Sequence, residues 1–345
     1  MRTLFSIAGN LIALTAGFGL LARYVSPEIF WPPAIIALLL PGLLVVTVAF
    51  ILVQVWRRRW RSVILPVVVV AVASPILDRL FAWPSSAEEL SAGEPTLTLA
   101  TGNQRMFRYA DVSDAEVETV SNFFDRLGVE VLLLQEVWPE GRKKSYIDVI
   151  HQSSGLQQRH QVERTMVATY ANNVIEEQAY FEDSQYHGIL LTDIRTDIGP
   201  IRVINTHLES NKISGMAEGI RGKESVSDQV TTFGQMLAGY GRTTRQRAAQ
   251  AQMIRRLVEE SPHPVILGGD FNDVPSSYMY NTILSPRLKD AWAQAGSGLG
   301  TTFTGPLPGL RIDYFMVDTA LTVVDVERVN SPWSDHRSLK LVVTK

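Results

Sequence analysis

The segment GGDFNDVPSS, residues 268–277, sets Asp270, Asn272 and Asp273 within four positions at the end of the apolar run that begins at Pro264. The same pattern recurs along the chain. TLTLATGN ends at Asn103, VEVLLLQE at Glu136 and IRVINTHL at Asn205 and His207, while RIDY carries Asp313 and WSDH supplies Asp335 and His336. Carboxylates, carboxamides and imidazoles at strand ends can ligate a hard cation or contact a phosphate, and strand ends gathered at one edge of a sheet can converge on one pocket. Each has a structural explanation when taken singly. Glu136 could be a solvated strand end, Asp270 and Asn272 turn residues, Asp335 a turn cap, and each histidine a hydrogen-bonded structural group. Their recurrence as a set favours a site.

Elements able to position that set follow from periodicity. TLTLA (96–100) and VEVLLLQE are strand-like, and DAEVETVSNFFDRL (114–127) between them has its apolar residues at helical spacing. YHGILLTDIRT and PIRVINTHL form a hairpin around Asp197, a helix follows over TTRQRAAQAQMIRRLVEE with Thr243 or Thr244 as N-cap, and PVILGGD is the next strand. Three further strand candidates, RIDYFMVD, LTVVDVERV and SLKLVVT, close the chain. Strands mixed with helices and hairpins predict an α/β layered domain with mixed sheets. Residues 209–242 read as a long Gly-rich connection. Arg245 and Arg247 lie near the start of the predicted helix on a solvated face, with contact to a substrate phosphate as the sharper alternative.

The first 83 residues differ in character. Thr3–Ala22, Ile29–Trp56 and Ser62–Leu77 are uncharged runs, against a requirement of roughly 20 apolar residues per membrane helix. The third run contains Pro66 and Pro75 and is followed by Asp78 and Arg79, so it is a tilted span or a re-entrant segment. A cleaved signal peptide would account for the first run alone, but not for the two that follow. The loop WRRRWR is basic and the loop YVSPEIFWPP is not, so the positive-inside bias places the former in the cytoplasm and everything after Trp83 outside it. Residues 84–95 have linker composition. Residues 1–83 carry net charge +5 and the remainder −8, a balance that argues against a dedicated nucleic-acid binder. The chain has no cysteine, which excludes disulfides and thiolate metal sites.

In this order and at these spacings, LLLQEV, INTHL, GGDFNDVP, RIDYFMV and SDH resemble the endonuclease/exonuclease/phosphatase superfamily over roughly residues 96–345. That superfamily includes DNase I-like nucleases, inositol polyphosphate phosphatases and bacterial sphingomyelinases. SSYMYNTI, KDAW, GLGTTFTG and LRIDY are further similar to membrane-anchored bacterial members with several amino-terminal helices. The resemblance implies a four-layer α/β sandwich, two face-packed mixed sheets flanked by helices, preceded here by a transmembrane region. It also implies Mg²⁺, or Mn²⁺ or Ca²⁺ in its place, with Glu136 as the first metal ligand and Asn103 and Asp335 as helpers. Asp270 would orient or deprotonate a water, Asn272 would donate to a phosphate oxygen, His207 and His336, when protonated, would donate to developing charge, and Asp313 would pair with His336, with either Asp270 or the Asp313–His336 pair as the base. Asn103 and Asn205 are expected at the substrate. The first motif reads ATGNQRMF where the family commonly has Tyr-Asn-Val-Arg, and in RTMVATYANN, nearest to another family strand, Tyr170 is the candidate phosphate contact. His151, His160, His187 and His263 lack motif context and are read as structural or surface residues.

Three functions compete. The first is a membrane-anchored, metal-dependent phosphoesterase acting outside the cytoplasm on a phosphodiester, such as a phospholipid or sphingolipid head group. The second is an extracytoplasmic nuclease, with nucleic acid as substrate. The third is a catalytically silent membrane-bound binding module, which the complete set of acid, amide and imidazole groups disfavours.

Overall fold

A computed structural model describes residues 2–83, 93–109, 113–140, 145–180, 185–210, 226–305 and 309–345. Most of the predicted linker, residues 84–92, lies outside the described residues. The chain divides into two compact units. One comprises 1–81, 210–252 and 273–283, and the other 82–209, 253–272 and 284–345.

The second unit contains two six-stranded mixed sheets. In chain order the strands are β1 (Leu97–Asn103), β2 (Val131–Gln135), β3 (Gln158–His160), β4 (Val167–Ala171), β5 (Val174–Tyr180), β6 (Gly188–Thr196), β7 (Gly199–His207), β8 (Val265–Asp270), β9 (Leu288–Asp290), β10 (Asp313–Asp318), β11 (Thr322–Asn330) and β12 (Arg337–Thr344). One sheet has the order β11-β12-β1-β2-β4-β3 and the other β5-β6-β7-β8-β10-β9. Each sheet has a single parallel pair at its centre, β1 with β2 and β7 with β8, and every other pairing is antiparallel. Parallel neighbours require a crossover connection and present their carboxyl ends at the same edge. Every expected strand is present, including the hairpin of β6 and β7.

Inward residues of the two sheets, among them Leu99, Val131, Leu133, Val203, Ile266, Phe315 and Leu341, form the core between them. The helix predicted over 114–127 is present with those bounds. A reciprocal capping box of Ser113 and Glu116 starts it, and Gly128 in left-handed conformation (φ 54°) ends it. Its Val120, Phe123, Phe124 and Leu127 cover the outer face of β1 and β2 together with Tyr146 and Ile150. Two face-packed mixed sheets flanked by helices are thus the architecture expected from sequence.

In the first unit, helices α1 (Arg2–Leu20), α2 (Pro27–Phe30), α3 (Pro32–Ala37), α4 (Leu40–Trp56) and α5 (Ile64–Leu80) account for the amino-terminal region. The run 29–56, expected as one span, is broken where Pro32, Pro33 and Pro41 remove backbone donors and restart the helix. Among the described residues one helix, Leu4–Arg23, is long and apolar enough to cross a membrane, and Leu40–Trp56 is a shorter apolar helix. Small residues Ala13, Ala16 and Ala73 let α1, α4 and α5 pack around Leu20, Leu44, Val69 and Ile76.

A long helix covers Val226–Glu259 and corrects two expectations. The segment 226–242 is helical rather than a loop, while 211–225 lie outside the described residues. Thr243 and Thr244 are interior and donate their hydroxyls to the Tyr240 carbonyl instead of capping. Helix is retained through Gly241 because that position is packed tightly, since a Cβ there would meet the Trp31 ring. Tyr240 Oη donates to Ala34 O at 2.9 Å and Ser276 Oγ to Ala37 O at 3.0 Å, which ties the connector between α1 and α4 to the rest of this unit. Arg247, read from sequence as solvated, is fully buried and donates from Nε to Asp273 Oδ2 at 3.1 Å. An intrachain carboxylate, invisible to helical periodicity, accounts for that burial.

Candidate active site

The two parallel pairs deliver their carboxyl ends to one place. Asn103 ends β1, Glu136 follows β2, and His207 and Asp270 are register partners at the ends of β7 and β8. β10 is antiparallel to β8, so its first residue, Asp313, lies opposite Asp270. β12 is antiparallel to β1, which brings His336, just before its start, to the same edge. The glycines of GGD are required by this packing. A Cβ at Gly269, where φ is 144°, would collide with the Thr206 backbone, and one at Gly268 would enter the Phe315 ring. Glu136 and Asn272 themselves adopt positive φ, 50° and 51°. Such conformations are costly outside glycine and persist where the surroundings hold them.

Asn103 is the hinge of the cluster. Its Nδ2 donates to Glu136 Oε1 and to Asp270 Oδ2, each at 3.0 Å, while its Oδ1 accepts from Arg105 N. Asn103 therefore presents N–H groups to the acids and orients them, in place of the oxygen ligand expected of it. Ser334 Oγ, donating to Asn103 O at 2.7 Å, fixes the strand end. Asp270 Oδ1 accepts from Asn272 N at 2.9 Å, and Asn272 Nδ2 donates to Leu208 O.

The two histidines differ. His207 faces the Tyr186 carbonyl through Nδ1 at 2.8 Å, which fixes the neutral tautomer with its proton there. Its Nε2 is buried without a hydrogen-bond partner, 3.6 Å from Asp270 Oδ2 and 3.9 Å from Glu136 Oε1. Burial lowers the His207 pKa, against the pull of Asp270 and Glu136. At His336 burial acts in the same direction, but the carboxylates of Asp313 and Asp270 overcome it and the pKa is pushed up to about 10. Its Nδ1 lies 3.0 Å from Asp313 Oδ2 and 3.1 Å from Oδ1. Asp313 is itself held by Thr302 Oγ1, which accepts from Asp313 N.

An unprotonated Nε2 facing two carboxylate oxygens is repulsive unless positive charge stands between them. That orphaned atom, with hard oxygen donors and no cysteine, fits a divalent cation of the Mg²⁺ or Mn²⁺ type held by Glu136 and Asp270. Asp270, Asp313 and His336 also bring one ligand atom each within 4.8 Å of one another.

Three sequence-predicted residues are placed elsewhere. Asp335 turns its carboxylate to Arg105 Nη1 at 3.4 Å, on a partly exposed rim. Asn205 is wholly buried between the sheets, accepting from Gln135 Nε2 at 2.7 Å and donating to Ala168 O at 2.9 Å. Its polar atoms are engaged within the protein, so it stitches the sheets together and does not contact substrate. Tyr170 is wholly buried in the core beneath the 114–127 helix, because its place in β4 turns it to the outer face of the sheet. That placement corrects its reading as a phosphate contact. His187, assigned to structure or surface, stacks edge-on to His207 with centroids 4.8 Å apart and pairs with Glu209 at 3.1 Å. Its one sequence signal is its position immediately before β6, whose Gly188 is the register partner of His207.

A family model described as Endonuclease/Exonuclease/phosphatase family matches residues 103–336. A second, described as a domain of unknown function (DUF8431), matches residues 2–80. No curated protein matches the chain. Among solved structures, TDP2 of D. rerio complexed with single strand DNA product aligns with TM-score 0.54 at 13% identity, over 72% of this chain and 99% of that one. A humanized D. rerio TDP2 with 14 mutations gives 0.53 at 13% identity, with 72% and 99% covered. A functionally unknown conserved protein from Enterococcus faecalis V583 gives 0.51 at 16%, with 72% and 100% covered. At these identities the likeness is one of fold.

Proposed function

The chain belongs to the Endonuclease/Exonuclease/phosphatase family, and on that premise we propose that it is a membrane-anchored, divalent-metal-dependent phosphodiesterase acting on a lipid head group outside the cytoplasm. The observation that carries the hydrolytic part is the meeting of Glu136, Asp270 and the partnerless Nε2 of His207 around one amide, that of Asn103. Glu136 and Asp270 would hold the cation, which when bound neutralises charge on the phosphoryl oxygens. Asp270 orients the attacking water through Oδ2, which also accepts from Asn103, while Oδ1 is held by the Asn272 backbone. His336, kept protonated by Asp313, donates from Nε2 to charge developing on the phosphate or the leaving oxygen. His207 lends its nitrogen to the same acidic pocket, and Tyr186 O and His187 hold its ring.

Membrane attachment is favoured by the outer faces of α1, α4 and α5. Leu11 (57% exposed), Val45 (69%), Leu52 (65%) and Val68 (53%) stand outside a core that these helices already complete among themselves. Apolar area of that extent is unfavourable in water and matches acyl chains. The basic loop at Arg57–Arg61 separates α4 from α5 and favours a cytoplasmic position for that turn.

The deciding assay offers the full chain, in detergent with Mg²⁺, both sphingomyelin-like or glycerophospholipid substrates and plasmid DNA. Head-group release faster than strand cutting is expected. The nuclease reading has one specific point in its favour, the D. rerio neighbour solved with single strand DNA product, and preferential cutting of plasmid would replace the lipid reading with it.

A further inference from the structure

Arg23 ends the long apolar helix that starts at Leu4, and Arg79 lies in the last turn of α5. Arg23 is only 7% exposed, yet its Nε and Nη1 have no hydrogen-bond partner. Among the described residues it makes no ion pair. Its guanidinium lies 4.7 Å from the Tyr24 ring centroid, and a ring face attracts the charge without satisfying the N–H groups. Among the described residues, the charged side chain that acts on it is that of Arg79, of the same sign. Asn281 holds the two arginines together, donating from Nδ2 to Arg23 O at 3.1 Å and accepting from Arg79 Nη1 at 3.2 Å. Arg79 also stands 5.6 Å over the Tyr280 ring.

A buried guanidinium with unmet donors beside a second guanidinium is costly unless an anion accepts from it. The planar fork of N–H donors matches phosphate oxygens, and the ends of apolar helices lie at the depth of lipid head groups. We propose that Arg23 and Arg79 form a binding site for a phosphate-type anion, provided by an acidic lipid or by free phosphate, that shares no residue with the hydrolytic cluster. The lipid form rests on the membrane reading of the first helix, and the free-phosphate form does not.

The test uses the full chain in nanodiscs of phosphatidylcholine alone or with phosphatidylglycerol, and in detergent with added inorganic phosphate. Expected is a higher unfolding temperature with phosphatidylglycerol, with that lipid retained in native mass spectrometry. Arg23→Gln and Arg79→Gln should each weaken retention about fivefold, in line with the contribution of one basic residue to binding acidic lipid. Arg79 is half-buried, so its variant keeps the test open if Arg23→Gln does not fold. A shift reproduced by inorganic phosphate, with loss of bound lipid, assigns the site to free phosphate. Absence of any shift with either probe, or a folded Arg79→Gln protein that responds as the wild type does, overturns the proposal.

Discussion

The acidic cluster at the strand ends and Arg23 at a helix end hold charge of opposite sign that other side chains do not fully meet. In the first, Asp313 and Asp270 face the His336 imidazole, while Glu136 and Asp270 face the buried Nε2 of His207. In the second, Arg23 faces Arg79 with two nitrogens unmet. Other buried charges are balanced within the chain, as at Arg247 with Asp273 and at Arg202 with Asp193, whose two parallel hydrogen bonds measure 2.7 and 2.8 Å. The contrast separates groups whose partner is protein from groups whose partner is a ligand. Balanced pairs should govern stability and ignore added ions, whereas unbalanced ones should govern function and respond to them.

Breaking a balanced pair gives the largest expected effect. Arg247→Met leaves the buried Asp273 carboxylate without its cation and should cost about 3–5 kcal/mol. Thermal unfolding in detergent would measure it, and Arg247→Met with Asp273→Leu should recover most of the loss. A neutral single variant would remove the distinction drawn above.

At the unbalanced acidic cluster, Glu136→Gln should reduce turnover about 100- to 1,000-fold, the range for losing one electrostatic contact to the transition state. Its unfolding temperature should change little, and calorimetry should show Mg²⁺ affinity lost. Chelation of the wild type should produce the same loss of activity, reversed by adding Mg²⁺.

Asn205→Ala tests the boundary of the site. With its amide bonded wholly within the protein, the change should cost about 1–3 kcal/mol of stability. KM should stay unchanged, whereas a raised KM at unaltered stability would return Asn205 to the substrate.

The smallest effect is a pH dependence at His160, which bonds Thr192 Oγ1 at 2.8 Å and whose pKa burial lowers to about 4. The unfolded value is about 6.5, so the folded state binds fewer protons. The contribution to stability is full above pH 6.5 and is lost as pH falls from there through 4. His160→Gln should flatten the unfolding profile across that window, and an unchanged slope would show that another group sets it.

Much of this molecule was legible in the chain because its signals are local. Strand-like runs joined at Asp197 marked β6 and β7 with their turn, helical spacing marked 114–127, and the order of QEV, NTHL, GDFN and SDH marked the cluster. Local signals failed where a distant partner decided the outcome. Arg247 reads as solvated until Asp273 is beside it, Asn205 reads as a ligand until Gln135 and Ala168 engage its amide, and the helix from Val226 continues through Gly241, packed against Trp31.

Residue identities alone determined that strand ends would carry acids, amides and imidazoles, and that the amino-terminal region would be apolar. Only the tertiary structure decided which oxygens face one another, that Asn103 offers N–H groups rather than an oxygen, and that His207 and His336 have their pKa values displaced in opposite directions. The reason is physical. Side-chain chemistry and short-range periodicity are written in sequence, whereas burial and the distance between charges exist only once two parallel strand pairs have been brought to a common edge.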